Sequence, residues 1–510
     1  MCSQIKSINK RLLSILITFT TILSLEPISA IAANSVNLFY VSATGSGTQC
    51  TKASPCQTIT QALNKVTDKA GGTIYVLPGE YPELLRISKS GADSQNYLNI
   101  IGISDAQGNK PLISPPGGHY AISNKNAWLV WLQNSFINFS GFEVAYSTAS
   151  KGINLGGKAQ HDNIVQNNKV HHIAGTGIWC EGNVYIGPPT VNTNCQITNN
   201  EVFYTVAAYC QYNTYASNPV CMAEFLPQSQ YAVDGKQGKL PVSWYPVGRW
   251  GTAIMCSATR HCNIKNNTVY DSFGEGINVS SNSYGIISDN IIYDINRPQL
   301  YISNSAYNTV TSNLVYVSTE HQFYQSPSYY NGTPPSIELA DDWLVPAPLP
   351  TASNPNFPDP YSGSQGLNGH NNSVYNNQVY GGYISLYGWL SVRNAGLKNS
   401  KVYNNTFVNA PISIFESGST TSNGLYITVN HYNSSVTNNI FINGSKNPNL
   451  LSRSNPIKGI AFSNNSWDLT PQKYALYPEL QGAGDTIGYS RINIQPPAPG
   501  TLTSAAFIPK

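Results

Sequence analysis

Six ionisable residues, Asp271, Glu275, Asp294, Arg297, Glu320 and His321, fall within 51 positions of a 510-residue chain in which only 10% of residues are charged. Four carboxylates so close in a chain that folds them together would repel unless a cation, a shared proton or Arg297 compensates. Ca²⁺ held by Asp271 and Asp294 is one solution, since it takes carboxylate oxygens. A carboxyl with a raised pKa is another. In such a set Glu275 would serve as acid or base, Arg297 would neutralise an acidic group on a substrate, and His321 would accept a proton. The same residues also read structurally: Asp closes turns by accepting backbone N–H groups, with Arg297 as a surface ion-pair partner.

The elements that must position them repeat. An Asn followed by a short apolar run occurs at Asn267, Asn290 and Asn313, 23 residues apart, and less regularly at Asn168, Asn200, Asn377, Asn405, Asn439 and Asn465. A period of this size with a β-type run in each copy marks a solenoid whose coils bury their apolar faces only by stacking. Equivalent positions then lie one strand spacing apart, about 4.8 Å.

Aligning the copies on their Asn makes a column of His172, Tyr204, Asp271 and Asp294. Seven and eight residues past the Asn come Gly274-Glu275, Arg297-Pro298 and Glu320-His321. Alternation at ten and eleven residues predicts Ile178, Ile277, Leu300 and Phe323 inward and Trp179, Asn278, Tyr301 and Tyr324 outward. An outward row of aromatic, amide and hydroxyl groups suits stacking of sugar rings. It equally suits a row covered by other parts of the chain.

Composition narrows the class. With 41% hydrophobic residues, 33 Tyr and 41 Gly, the chain is too apolar for disorder and rich in strand and turn formers. A net charge of +3 with no basic patch gives no reason to expect nucleic acid. Lys6, Lys10 and Arg11, an apolar run over 12–25 and Ala30-Ile31-Ala32 predict a signal peptide over 1–32. The mature chain is therefore expected to be soluble and secreted or periplasmic, without a membrane span.

Eight cysteines remain after the leader, in the couples Cys50/Cys56, Cys180/Cys195, Cys210/Cys221 and Cys256/Cys262. An even number in an exported chain favours disulfides, and local pairing is the most economical of the possible schemes. No C-x2-C pair supports zinc.

The expected fold is all-β: a right-handed single-stranded parallel β-helix over 33–510, the hand following from the preference of parallel crossovers. One helix over about 59–67 is placed to cap the N-terminal end. Two long inserts, about 206–250 and 325–368, interrupt the coils, and 474–510 reads as a tail. Long irregular inserts are commonly functional, and these two would wall a cleft or simply decorate the surface. His171-His172, Glu181, Lys151 and Lys158, with Tyr245, Arg249 and Trp250 ending the first insert, are secondary candidates. No G-x-S-x-G suggests a serine nucleophile.

The opening FYVSATGSGTQC, the Asn-led coils over 36–470, and the GEGI turn at 274–277 followed one coil later by YISN resemble secreted β-helix proteins of the pectate-lyase-like superfamily. That resemblance implies action on a polysaccharide along one sheet, as a lyase, hydrolase or C5-epimerase. In its lyases Ca²⁺, Arg or Lys neutralises a uronate carboxylate while a base removes the C5 proton. The NTD and GHG patterns of galacturonases, the RxPxxR of pectate lyases and the DPHD of alginate epimerases are missing, and Asp341-Asp342 lies in the second insert. A polysaccharide lyase acting on a uronate-containing polymer is the leading expectation. A hydrolase or epimerase on the same fold and a non-catalytic glycan-binding or adhesive surface protein are the alternatives. Neither the polymer nor the oligomeric state is readable from the sequence.

Overall fold

The computed structural model describes residues 37–119, 128–147, 151–156, 159–182, 192–206, 251–317, 334–341, 370–388, 396–415, 418–420, 426–428, 431–442, 451–453 and 457–488. The leader, nearly all of the first insert and the end of the tail lie outside them.

Short strands run in a fixed cycle around the chain, as in Asn263–Lys265, Thr268–Tyr270 and Glu275–Ser283, each joining a different sheet. The result is three stacked sheets of 13, 13 and 12 strands, called here first, second and third in the order the chain visits them. Every inter-coil pairing in them is parallel, in register with its neighbour; for example Ile264↔Ile287 in the first sheet and Val269↔Ile292 in the second. Residues two past each repeat Asn, from Val170 through Ile292 to Trp467, point inward and are buried in one continuous core.

The repeat Asn residues explain the period. They are buried at the corner between the first and second sheets, and each Oδ1 accepts from the backbone N–H of the repeat Asn one coil earlier: Asn267 N–H to Asn290 Oδ1 at 3.0 Å, Asn290 N–H to Asn313 Oδ1 at 3.1 Å. Each Nδ2 donates onward to the next Oδ1 and back to a carbonyl of an earlier coil, as Asn290 does to Asn313 and to Ile264, both at 2.9 Å. A buried corner exposes backbone groups that no strand ladder reaches, and a side-chain amide supplies both donor and acceptor. The residue just before takes a left-handed backbone, φ 56° at Asn199, Asn266 and Asn376. Asn tolerates that region better than other side chains do, which accounts for the recurring doublet.

At the N-terminal end the helix is shorter than expected, Ile59–Leu63. Thr58 and Gln61 form a capping box, and Asn64 ends it. Ile59, Ala62 and Leu63 join the core. At the C-terminal end the helix Pro471–Tyr474 leads into the tail, whose described part adds a last strand, Thr486–Ile487, paired with Ser466-Trp467. Asp485 closes the Asn ladder by accepting from the Asn465 N–H at 2.8 Å, and also binds Trp467 Nε1 and the Tyr474 hydroxyl.

Two features depart from expectation. The second insert is not wholly irregular, because Ile337–Asp341 inside it is a third-sheet strand pairing with Leu300–Ser303. An antiparallel pair, Gly418–Thr420 with Tyr426–Thr428, forms a separate two-stranded sheet. Disulfides join Cys50 to Cys56, Cys180 to Cys195 and Cys256 to Cys262; Cys210 and Cys221 lie outside the described residues. Among the described residues no helix is long and apolar enough to cross a membrane.

Candidate functional site

The turn from the second sheet into the third carries the charged column. His172, Tyr204, Asp271 and Asp294 all take left-handed backbones there, φ 46° to 52°, and Tyr146 extends the column by one coil at 62°. One local conformation recurring at equivalent turns is what lets sequence spacing place them together. Asp271, Glu275, Asp294 and Arg297 are all buried. Glu320 and His321, the remaining pair, lie outside the described residues, as do Tyr245, Arg249, Trp250 and Lys158.

Glu275 opens the strand Glu275–Ser283, and the next residue explains its direction. The N–H groups of Gly276 and Ile277 both donate to the following coil, to Pro298 O and Gln299 O, so the alternation of the strand slips by one there. A Cβ on Gly276 would sit 2.3 Å from Gln299 O, hence the glycine. The Glu275 carboxylate accepts from the Asn278 amide, whose own oxygen accepts from the Ser280 hydroxyl.

Along the outer side of the third sheet the register runs Arg86, Trp131, Asn154, Trp179, Met255, Asn278, Tyr301, Glu338. Trp179, Asn278 and Tyr301 thus share one row, but the next position belongs to Glu338, with Ile337 inward. The offset of eleven residues fails in that coil because 64 residues separate Asn313 from Asn377, so the strand is free to begin late. Tyr324 lies outside the described residues. Asn278 is 4% exposed and Tyr301 8%, so the C-terminal half of this row is covered. Its N-terminal half is more open, with Arg86, Trp131 and Trp179 part-exposed, as is the adjoining Trp128, although Asn154 is buried.

Two polar networks border the row. Lys151 Nζ lies 3.6 Å from the Trp179 ring centroid and 4.9 Å from that of Trp128, and donates to Glu181 Oε2 at 2.6 Å. Burial pulls the Lys151 ammonium below its usual pKa, and the Glu181 carboxylate partly offsets this. On the second sheet Glu143 Oε1, His171 Nε2, His171 Nδ1 and His172 Nδ1 form a chain with links of 2.7 and 2.6 Å. The His171 hydrogen bond holds the Glu143 carboxyl below its ordinary range.

Sequence reasoning missed the stack that follows: His171, Phe203, Tyr270, Tyr293 and Tyr316 lie ring on ring at 4.8 to 5.0 Å. Its signal was available, since each residue sits three past a repeat Asn. Burial raises the Tyr270, Tyr293 and Tyr316 hydroxyls; Glu201, hydrogen-bonded to Tyr270, adds to the first, and Asp271 and Asp294 add to the other two. The two aspartates are therefore electrostatic neighbours of this stack. Among the described residues no three His, Cys, Asp or Glu side chains gather so as to hold a metal ion. Asp271 and Asp294 alone supply fewer oxygen ligands than Ca²⁺ takes, and Glu320 lies outside the described residues.

A family model described as a right-handed β-helix region matches residues 252–468. The chain is a right-handed parallel β-helix. This is the architecture of the pectate-lyase-like superfamily that the sequence resembles. Solved structures similar to this β-helix include a mannuronan C-5 epimerase A-module from Azotobacter vinelandii (11% identity, 83% of this chain and 92% of that one, TM-score 0.40). A GH136 lacto-N-biosidase from Eubacterium ramulus (11%, 73% and 64%, 0.42) and a rhamnogalacturonan lyase (14%, 85% and 88%, 0.38) are others. No curated protein matches the sequence.

The β-helix stacking brings Asp271, Glu275, Asp294 and Arg297 to successive coils at one edge of the third sheet. Glu181 and Lys151 lie at the same sheet but several strands nearer its N-terminal end, and His171-His172 lie on the second sheet.

Proposed function

We propose that this β-helix is carbohydrate-active and cleaves a uronate-containing polysaccharide by β-elimination at the edge of its third sheet. The observation that carries the reading is the burial of Asp271, Glu275, Asp294, Arg297 and Glu338 along that edge and outer side. Charges removed from water are unfavourable unless paired, and five of them on or just before three successive third-sheet strands favour a functional role over packing alone.

In the reaction a base takes the C5 proton, the electron pair forms the C4=C5 double bond, and the C4–O glycosidic bond breaks, its oxygen leaving with a proton. Negative charge grows on the uronate carboxylate as the C5 proton departs, so a fixed cation there stabilises the transition state. Arg297 is assigned that role. Glu275, oriented by Asn278 and Ser280, is the carboxylate placed for acid or base work. His321 remains the second candidate acceptor on sequence grounds. Three local disulfides and the leader-like N-terminus support export.

Purified protein is incubated with pectin, alginate, glycosaminoglycan and neutral polysaccharides, and both ultraviolet absorbance of unsaturated ends and new reducing ends are measured. Absorbance with wild type, lost in Glu275→Gln and Arg297→Gln, supports the lyase. Reducing ends without absorbance favour a hydrolase. Binding with no product from any polymer leaves a glycan-binding platform.

A further inference from the structure

The part-exposed end of the outward row lies far from the acidic edge and has a different character. Arg86 is half-buried beside Trp131 and Trp128, its guanidinium carbon 5.7 and 6.0 Å from their ring centroids. Among the described residues it donates only to backbone carbonyls, Trp128 O at 2.7 Å and Leu85 O at 3.3 Å. Among the described residues no carboxylate pairs with it, unlike Lys151, whose charge is met by Glu181. Burial without a counter-ion disfavours the Arg86 cation, and its pKa is pulled down accordingly.

The aromatic surfaces beside it are fixed. Trp131 donates its indole N–H to Gly156 O, and Gly156 must be glycine because a Cβ there would meet Glu181 O at 2.4 Å. Trp128 packs edge-on to Trp131 with centroids 4.0 Å apart, and its own Nε1 is buried with no acceptor among the described residues. A rigid indole beside an unmatched guanidinium is a pair of groups that asks for a ligand with an apolar ring face and an anionic substituent.

We propose that Arg86, Trp131 and Trp128 form an outer subsite for a uronic acid unit of a polysaccharide, its carboxylate on Arg86 and its ring on Trp131. The proposal rests on the carbohydrate reading of the third sheet but not on the lyase chemistry. Charge complementarity selects the occupant: a neutral sugar would leave the guanidinium unmatched. Along the register Arg86 stands five strands from Asn278, roughly 24 Å at the usual strand spacing. The subsite therefore engages a polymer extending well beyond the buried carboxylates; between them Trp179 and Met255 are part-exposed, while Asn154 is buried beneath the row.

Affinity electrophoresis through gels containing polygalacturonate, alginate or hyaluronan, with neutral galactan and mannan gels as controls and a chelator throughout, tests this. Wild type is expected to be retarded by at least one acidic polymer, less so at high salt. Arg86→Gln is expected to weaken that binding roughly tenfold to a hundredfold, the scale of one lost charge-assisted contact, with neutral gels unaffected. Trp131→Phe, which keeps a ring but loses the indole hydrogen bond, is expected to weaken it less. Far-ultraviolet circular dichroism and thermal midpoints confirm that both variants fold. Equal retardation of wild type and a folded Arg86→Gln by the acidic polymer overturns the subsite and leaves the carbohydrate reading standing. No retardation of wild type by any polymer overturns that reading, and the subsite falls with it.

Discussion

Single side chains hold this fold where strands cannot. Asn290 is buried at a corner and its Oδ1 accepts from both the backbone N–H and the side-chain amide of Asn267, each at 3.0 Å. Replacing it with Ala takes the side-chain acceptor from the buried Asn267 N–H and removes the Asn290 amide from Ile264 O, each loss worth about 1–3 kcal/mol. Asn290→Ala is thus expected to lower stability by about 2–4 kcal/mol, read as a reduced urea midpoint with an unchanged slope. At Glu143 the effect is one of pH. His171 holds its carboxyl below the ordinary range, so the folded protein binds that proton less readily than the unfolded chain. The resulting stabilisation is present above the unfolded carboxylate pKa and is lost as pH falls through the folded one. Glu143→Gln should therefore flatten the acid limb of a stability–pH curve between those two values, and an unchanged limb would show that the contact carries no such linkage. In the neutral state an ionised Glu143 makes His171 the Nε2–H tautomer and His172 the Nδ1–H tautomer, an order that nitrogen chemical shifts report directly.

Strands and turns set where those side chains stand. The paired N–H groups of Gly276 and Ile277 shift the alternation of Glu275–Ser283, turning Glu275 outward beside Asn278 while Ile277 stays in the core. At the same sheet Cys180 and Cys195 are joined across 15 residues, linking a third-sheet strand to the loop before Gln196–Thr198. A cross-link closing a loop of that size restricts the unfolded chain by about 3 kcal/mol on the chain-entropy account. The double variant Cys180→Ser, Cys195→Ser should lose stability on that scale, and non-reduced peptide maps of the wild type should show Cys180 with Cys195. A map pairing either with Cys210 or Cys221 would contradict the local scheme.

At the largest scale the described β-helix is a stack in which each coil packs mainly on its neighbours, so disturbance at an end should stay there. Asp485 is the test. It accepts from the Asn465 N–H, Trp467 Nε1, the Tyr474 hydroxyl and the Gly482 N–H, ending the ladder and holding the last helix to the last coil. Asp485→Ala should speed amide hydrogen exchange over about 463–488 and leave the coils around Ile264 and Ile287 protected. Faster exchange throughout would mean the coils unfold as one unit.

What was legible in the sequence was whatever repeats at short range. The Asn doublets declared the period because every corner of that kind needs the same left-handed residue and the same buried amide, and the inward residues followed from alternation. The column His172, Tyr204, Asp271, Asp294 and the shared row of Trp179, Asn278 and Tyr301 were readable for the same reason. The couples Cys50/Cys56, Cys180/Cys195 and Cys256/Cys262 were readable because a short loop leaves little choice of partner. Tertiary structure alone decided what depends on long coils and on contacts between columns. Glu338 rather than a residue nearer the repeat Asn follows Tyr301, because a 64-residue coil does not fix where its strand begins. The pairing of Lys151 with Glu181, the chain through Glu143, His171 and His172, and the meeting of Arg86 with Trp131 join residues 28 to 45 positions apart. No local pattern encodes them, since they arise from how far each coil advances before its neighbour stacks upon it.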